Sequence, residues 1–376
     1  MPPASGRLPA IDWLRGLVMV LMAMDHVDFA TNPHHAQGDS VLFGGGRMPA
    51  AADFVVRWCT HLCAPTFVLL AGASLALSRA NARHLLLRAA VIVGLEVTLV
   101  SCFWRTAEGM GPAMLPVFLQ VLWAIGGCMA LMAGLRRLPA NAQLGLAAVA
   151  LVAAELIRTA TLESPWTLPL SVVALLTGGP WGSLGGDGDE AFAVLCIYPL
   201  LPWLPVMLIG HVLGRHFAAG LVTARKLALL GLGALAGFVV VRGVDGFGNM
   251  GLHRNGLLPL EWMHCSKYPP SISFLAMELG IALLLLAAFT AVGPRVRAIV
   301  EAMPIRLLGR VPMFFYLLHL PMIALLQACH LLPARGTGAA WQSPLLALLV
   351  SAACLPLCWL YARHRERNPR AWTRYL

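Results

Sequence analysis

Charged side chains are scarce in this chain: they make up 12% of its 376 residues, and lysine occurs only at Lys226 and Lys267. With 59% hydrophobic residues and a mean hydropathy of +0.76, the apolar content exceeds what one soluble core can bury, which excludes a soluble protein. Strand-like alternation and internal repeats are also missing, so the chain reads as all-helical. The first apolar run is interrupted by Asp12 and Arg15, and no small-x-small site follows it cleanly, which argues against a cleaved signal peptide. Cysteine occurs nine times, but an odd number scattered mostly within apolar runs reads as small buried hydrophobes and not as a disulfide framework.

What is plentiful is apolar sequence in runs of bilayer length. They fall at 9–30, 54–78, 84–104, 113–135, 141–158, 192–215, 226–242, 272–292, 304–327 and 343–362, about ten helices by the ~20-residue criterion. The expected fold is an all-α, polytopic integral membrane bundle, a single domain over 1–376. A net charge of +10 and a pI near 9.6 would suit a nucleic-acid binder, but the basic residues are dispersed so as to mark one side of a membrane. With the N-terminus cytoplasmic, Arg7, Arg79, Arg83, Arg88, Arg136, Arg137, Arg215, Arg225, Lys226, Arg295, Arg297, Arg306 and the arginines of the tail fall inside. Asp39, Glu108, Glu163, Asp187, Asp189, Glu190, Asp245 and Glu261 fall in the alternate loops, so the positive-inside rule puts both termini in the cytoplasm. The longer loops near 31–53, 159–191 and 243–271, the last with Cys265, then face outward, and no nucleic-acid partner is expected.

The first run, IDWLRGLVMVLMAMDHVDFA, carries Asp12 and Arg15 at one end and Asp25, His26 and Asp28 at the other. A charge in hydrocarbon is costly, so such residues are functional candidates unless they reach water or a partner. Asp12 suits a helix N-terminus and can pair with Arg15 three residues on. Eleven residues separate Arg15 from His26, three helical turns plus ~20° and a rise of about 16 Å, so both look out from one face near opposite membrane surfaces. Gly16, Met19 and Ala23 lie between them as candidate lining of a narrow slot.

Other polar residues fall near the outer level: Arg57 and His61 four apart on one helix, Glu96 and Arg105, Lys267 and Tyr268 in KYPPS, and Tyr316 with His319 in FFYLLHLP. Together they suggest a polar cavity opening outward, although each alone could be a packed interhelical residue. Asp25, His26, Asp28, His34, His35 and Asp39 are zinc-type side chains, but their spacing matches no known frame, and in CTHLC the two cysteines share a face that His61 does not; no metal is assigned.

The segments IDWLRGLVMVLMAMDHVDF, RWCTHLCAPTFVLLAGASLAL, QVLWAIGG, YPLLPWLPVMLIGHVLGR, KYPPSISFLAMELG and LLGRVPMFFYLLHLP resemble, in order and spacing, bacterial membrane proteins related to heparan-alpha-glucosaminide N-acetyltransferase, within the transmembrane acyltransferase superfamily. The polysaccharide O-acetyltransferases of that superfamily carry an Arg and a His separated by ten residues on the first helix, a pattern that Arg15 and His26 fit. In the lysosomal branch the matching position is an asparagine and the proposed catalytic histidine lies further on, which keeps His34 and His35 as alternatives to His26. The resemblance implies a multi-pass protein of the bacterial inner membrane. It implies acetyl-CoA or another acyl-CoA as a cytoplasmic co-substrate, no permanently bound cofactor, and a glycan or small-molecule acceptor on the outer side. The expected catalytic residues are His26, Asp25, His61 and His319, with Arg15, Arg57, Lys267 and Tyr268 for the donor, and an acid beside His26 would poise it as a base. A secondary transporter of a small polar or anionic solute is the alternative, and would show paired repeats between its halves. A noncatalytic scaffold would need neither the Arg15 to His26 alignment nor the histidine cluster. Whether the protein forms a homodimer is left open.

Overall fold

The computed structural model describes residues 8–35, 38–41, 44–107, 116–163, 178–184, 191–368 and 371–375. Arg7, Glu108, Asp187, Asp189, Glu190 and Arg370 lie outside the described residues, as does most of the expected outer loop near 159–191. The chain is mostly helical. Helix α1 is Pro9–Thr31, α2 Ala51–His61, α3 Cys63–Leu77, α4 Ala82–Leu95, α5 Ser101–Ala107, α6 Val121–Leu135, α7 Ala140–Glu163 and α8 Leu200–Ala218. These are followed by α9 Ala224–Val244, α10 Pro259–Met263, α11 Ile272–Ala291, α12 Pro294–Ala302, α13 Pro304–Arg310, α14 Pro312–Ala328 and α15 Ser343–Arg367. The ends follow local chemistry. Pro stands in the first turn of α1, α13 and α14, where its missing N–H costs nothing, and Asn81, Thr223 and Ser271 cap α4, α9 and α11 with side-chain oxygens.

Six helices among the described residues are long and apolar enough to cross a membrane: Ala51–Leu77, Ala82–Thr106, Ala140–Ala160, Ala224–Val244, Ile272–Ala291 and Ala340–Arg367. The chain is thus a helical membrane bundle, with fewer spans meeting this test than the ten expected. The shortfall has physical causes. Helix α1 carries its own charges, α6 is 15 residues long, and the run at 304–327 is broken by 106° at Val311, where Pro312 cannot donate the next helical hydrogen bond.

The expected helical membrane bundle also carries a feature not expected from the sequence, as β1 Val117–Leu119, β2 Gly179–Leu184 and β3 Ala191–Cys196 form a small sheet in the order β1-β3-β2. β1 runs parallel to β3 (Val117 beside Val194) and β2 antiparallel to it (Gly179 beside Cys196). β1 and β3 open the runs at 113–135 and 192–215, since a short apolar run has no period that separates strand from helix. The sheet hands the chain to Gln120 and Tyr198, both of which reach the interior. Glu96, at the start of a π turn Glu96–Val100, accepts from the backbone N–H groups of Gln120 and Leu122 at 3.0 Å each, so this buried acid caps α6.

Helix α1 is central, packed among α2, α3, α11, α13, α14 and α15. Its contact with α13 depends on missing side chains. A Cβ on Gly16 would meet the Ile305 carbonyl, and one on Gly309 the Asp12 carbonyl, so the two backbones touch as in small-residue crossings of membrane helices. Gly16 therefore faces α13 and not a slot, and Ala23 is buried in the core.

Candidate functional site

A cavity of about 320 Å³ runs beside α1. At one end stand Arg15, His84, Arg88, Arg310 and Arg365; Met19, Met22, Phe67, Ile125 and Met129 form an apolar waist; Asp25, His26, Thr60, Gln120, Tyr198 and Lys267 line the other end. Arg15, Met19, Met22 and His26 recur at helical spacing, which is why one helix can serve both ends. Arg15 is fixed by Nη1 donating to Asp12 (3.0 Å) and to the Gly309 carbonyl (3.2 Å) and by Nη2 donating to Ser74 (2.9 Å). The Arg88 Nε is buried without a hydrogen-bond partner among the described residues, while Arg365 donates to the Arg310 carbonyl at 2.9 Å. Four guanidinium groups from four separate helices thus converge on one mouth; of them Arg15 alone is expected from the sequence as a donor residue, and Arg88 and Arg365 only as members of the basic inner face.

At the far end His26 meets His319 of α14, with Nδ1 of the first 2.6 Å from Nε2 of the second. Trp104 and Tyr316 set their rings edge-on to the His26 ring, at 5.6 and 6.3 Å between centroids. Among the described residues no acid hydrogen-bonds His26, contrary to the expectation that Asp25, Asp28 or another acid would poise it. Asp25 is held instead by the Arg57 guanidinium and accepts from the Thr60 hydroxyl.

Arg57 is the centre of a buried knot. Its Nε donates to Asp39 at 2.7 Å, Nη1 to Asp25 and to His35 (2.9 Å), and Nη2 to Asp39 and to the Tyr268 hydroxyl (3.1 Å). Because a guanidinium only donates, His35 Nε2 accepts, so His35 Nδ1–H donates to Asp28 at 2.7 Å and neither ring nitrogen is left over. His61 donates from Nε2 to Asp39 at 3.2 Å. Burial would push the Asp39 carboxyl up, but Arg57 and the His61 hydrogen bond hold it well below the usual carboxylate range. The loop bearing Asp39 also accepts the backbone N–H of Lys267 at 2.8 Å, which brings Lys267 to the cavity wall at 2% exposure.

Of the residues expected from the sequence, Arg15, Asp25, His26 and Lys267 line the cavity, and His319 touches it through His26. Arg57, His61 and Tyr268 lie behind Asp25, in the knot. His34 is exposed on the loop after α1, whereas Arg88, Arg310 and Arg365 are cavity residues that a reading by sidedness noticed in part but could not converge on one point.

A family model described as heparan-alpha-glucosaminide N-acetyltransferase, catalytic, matches residues 7–244. The matched stretch holds Arg15, Asp25, His26, Arg57, His61 and Arg88, and ends before Lys267, Arg310, His319 and Arg365. No match is found among curated proteins. A match over more than half of the chain, on a helical membrane bundle whose cavity is lined in large part by that stretch, means that the chain belongs to the heparan-alpha-glucosaminide N-acetyltransferase catalytic family.

Proposed function

We propose that this membrane acyltransferase takes an acyl group, acetyl in the first instance, from acyl-CoA seated at the arginine mouth and passes it to a sugar amine or hydroxyl that reaches His26 from the opposite side. The observation that carries this reading is the single cavity joining Arg15, Arg88, Arg310 and Arg365 to His26 through an apolar waist. Phosphates of CoA suit clustered guanidiniums, a thin pantetheine arm suits the waist, and the thioester then lies beside His26. His26 takes the acceptor's proton, and the Lys267 ammonium faces the negative charge that gathers on the thioester oxygen.

The same reading completes ten passes by adding α1, α6, α8 and the bent pair α13–α14 to the six long spans. It places both termini and the arginine mouth in the cytoplasm, treats 1–376 as one domain, and assigns the chain to a bacterial inner membrane. Cys265 is only 2% exposed and is a poor reporter of sidedness. In a protein stripped of the exposed Cys102 and Cys329, a cysteine in place of Leu257, which is 82% exposed, is expected to react with an impermeant maleimide in intact cells. The variant Arg137→Cys is expected to stay protected until the membrane is opened, and the reverse pattern overturns the assigned sides.

Acetyl-CoA is expected to raise the melting temperature of the detergent-solubilised protein, by about 2.7 kcal/mol of stability at roughly a hundred times Kd. Arg88→Ala, which removes a guanidinium whose Nε has no partner among the described residues, is expected to weaken acetyl-CoA binding about tenfold or more, the loss of one charge-assisted hydrogen bond. An absence of stabilisation by acetyl-CoA, longer acyl-CoA and free CoA alike overturns the donor assignment.

A further inference from the structure

We propose that His319 is a positioning residue that holds His26 in the tautomer whose Nε2 carries the lone pair, so that proton transfer takes place at that one atom; this rests on the acyltransferase reading of the cavity. Three hydrogen-bonding groups in a row share two protons. His319 Nδ1 lies 3.0 Å from the Phe315 carbonyl oxygen, one turn earlier on α14. A carbonyl oxygen only accepts, so the proton sits on His319 Nδ1, and in the neutral ring Nε2 carries a lone pair. That Nε2 is 2.6 Å from His26 Nδ1, a separation that requires a proton between them. The proton must belong to His26 Nδ1, because placing it on His319 would make an imidazolium of a ring with 0% exposure. The two ring planes differ by 14° and their centroids lie 4.9 Å apart, which matches the nitrogen separation plus two ring radii, so the bond runs in the plane of both rings. The Phe315 ring stacks on His319 with centroids 5.4 Å apart and 9° between planes, which fixes the tilt of the relay.

With Nδ1 protonated, neutral His26 has its lone pair on Nε2, and no described residue donates to that atom. The step then balances. The acceptor's N–H or O–H bond breaks as its proton moves to Nε2, and the freed pair bonds to the thioester carbonyl carbon. The C–S bond breaks with its electrons on sulfur, and Nε2 returns the proton to the CoA thiolate. The imidazolium formed on the way keeps its Nδ1–H bond to His319 unchanged, so neither ring has to turn during the cycle. This is the positioning role that a carboxylate fills in other histidine bases, carried out here by a neutral ring and a main-chain carbonyl.

Nitrogen-15 spectra of histidine-labelled wild-type protein, with His26→Ala to assign the signal, are expected to show His26 protonated at Nδ1 and bare at Nε2. A signal protonated at Nε2 overturns the proposal whatever any variant does. In transfer from acetyl-CoA to glucosamine, His319→Leu is expected to lower kcat about 10²-fold or more, with KM for acetyl-CoA within a factor of about two. His319→Gln, which keeps an acceptor opposite His26 Nδ1, is expected to recover most of that loss. Retained thermal stabilisation by acetyl-CoA shows that a variant is folded. Full kcat in a folded His319→Leu beside an inactive His26→Ala overturns the tautomer relay and leaves the acyltransferase reading standing; an active His26→Ala overturns His26 as the base and the relay with it, whereas a wild-type protein that transfers no acyl group overturns the acyltransferase reading itself.

Discussion

His26→Ala is expected to reduce acetyl transfer to glucosamine at least about 10²-fold, the share a general base contributes, while the stabilising effect of acetyl-CoA survives. The His26 ring is half-buried, hydrogen-bonds the protein through one nitrogen with the Trp104 and Tyr316 rings edge-on to it, and lies at the end of the cavity opposite the arginines, so its loss leaves the arginine mouth intact. His26→Gln is expected to be nearly as inactive, since an amide holds a hydrogen bond but takes up no proton. Direct transfer in a ternary complex also predicts intersecting initial-rate plots and no acyl-histidine trapped by acid quench. A His26→Ala protein with more than about a tenth of wild-type activity overturns the assignment. The other candidates are less well placed: His35 has both nitrogens engaged with Asp28 and Arg57, and His61 and His319 are turned toward Asp39 and Phe315.

The second large effect is expected from Arg57→Leu. Removing one partner of a buried ion pair leaves an uncompensated charge and costs about 3–5 kcal/mol, and here Asp25 and Asp39 would both be stranded. Arg57→Lys is expected to recover only part, because one ammonium cannot donate to Asp25, Asp39, His35 and Tyr268 at once. The deficit should depend on pH. Asp39 has its folded pKa depressed, so its stabilising contribution is complete above the unfolded value near 4 and is lost as pH falls through the lower folded one. Without Arg57 the burial that pushes this carboxyl up is opposed less, so the variant takes up its proton at higher pH than wild type. The gap in melting temperature between the two is therefore expected to narrow on going from pH 7 toward pH 4. A gap that widens shows that Arg57 is not what holds Asp39 ionised.

The sequence exposed the parts of this arrangement that lie on one helix. Arg15 and His26 do face the same side, because eleven residues close on a whole number of turns, and Met19 lies between them. Gly16 and Ala23 do not, since a step of one residue turns the helix by about 100° and moves a side chain onto a neighbour. Arg57 and His61, four apart, do share a face, but the Asp39 that unites them sits on a loop whose return path has no period to read. Glu96 illustrates the opposite error: an acid inside an apolar run signals function by cost alone, and here its cost is met by the bare N–H groups opening α6. The arginine mouth was legible as a sign of charge and not as a place, because Arg15, Arg88, Arg310 and Arg365 come together only through tertiary packing.

The waist of Met19, Met22, Phe67, Ile125 and Met129 has an electrical consequence. A passage that accepts a nucleotide thioester from one compartment and a sugar from the other would, if wet throughout, short-circuit the membrane it sits in. A stretch walled by apolar side chains holds water poorly, and a small ion crossing it would have to give up much of its hydration shell. A thioether-rich wall is soft enough to part around an uncharged pantetheine arm and to close behind it. On the proposed reading the same five side chains would pass an acyl group and insulate against current.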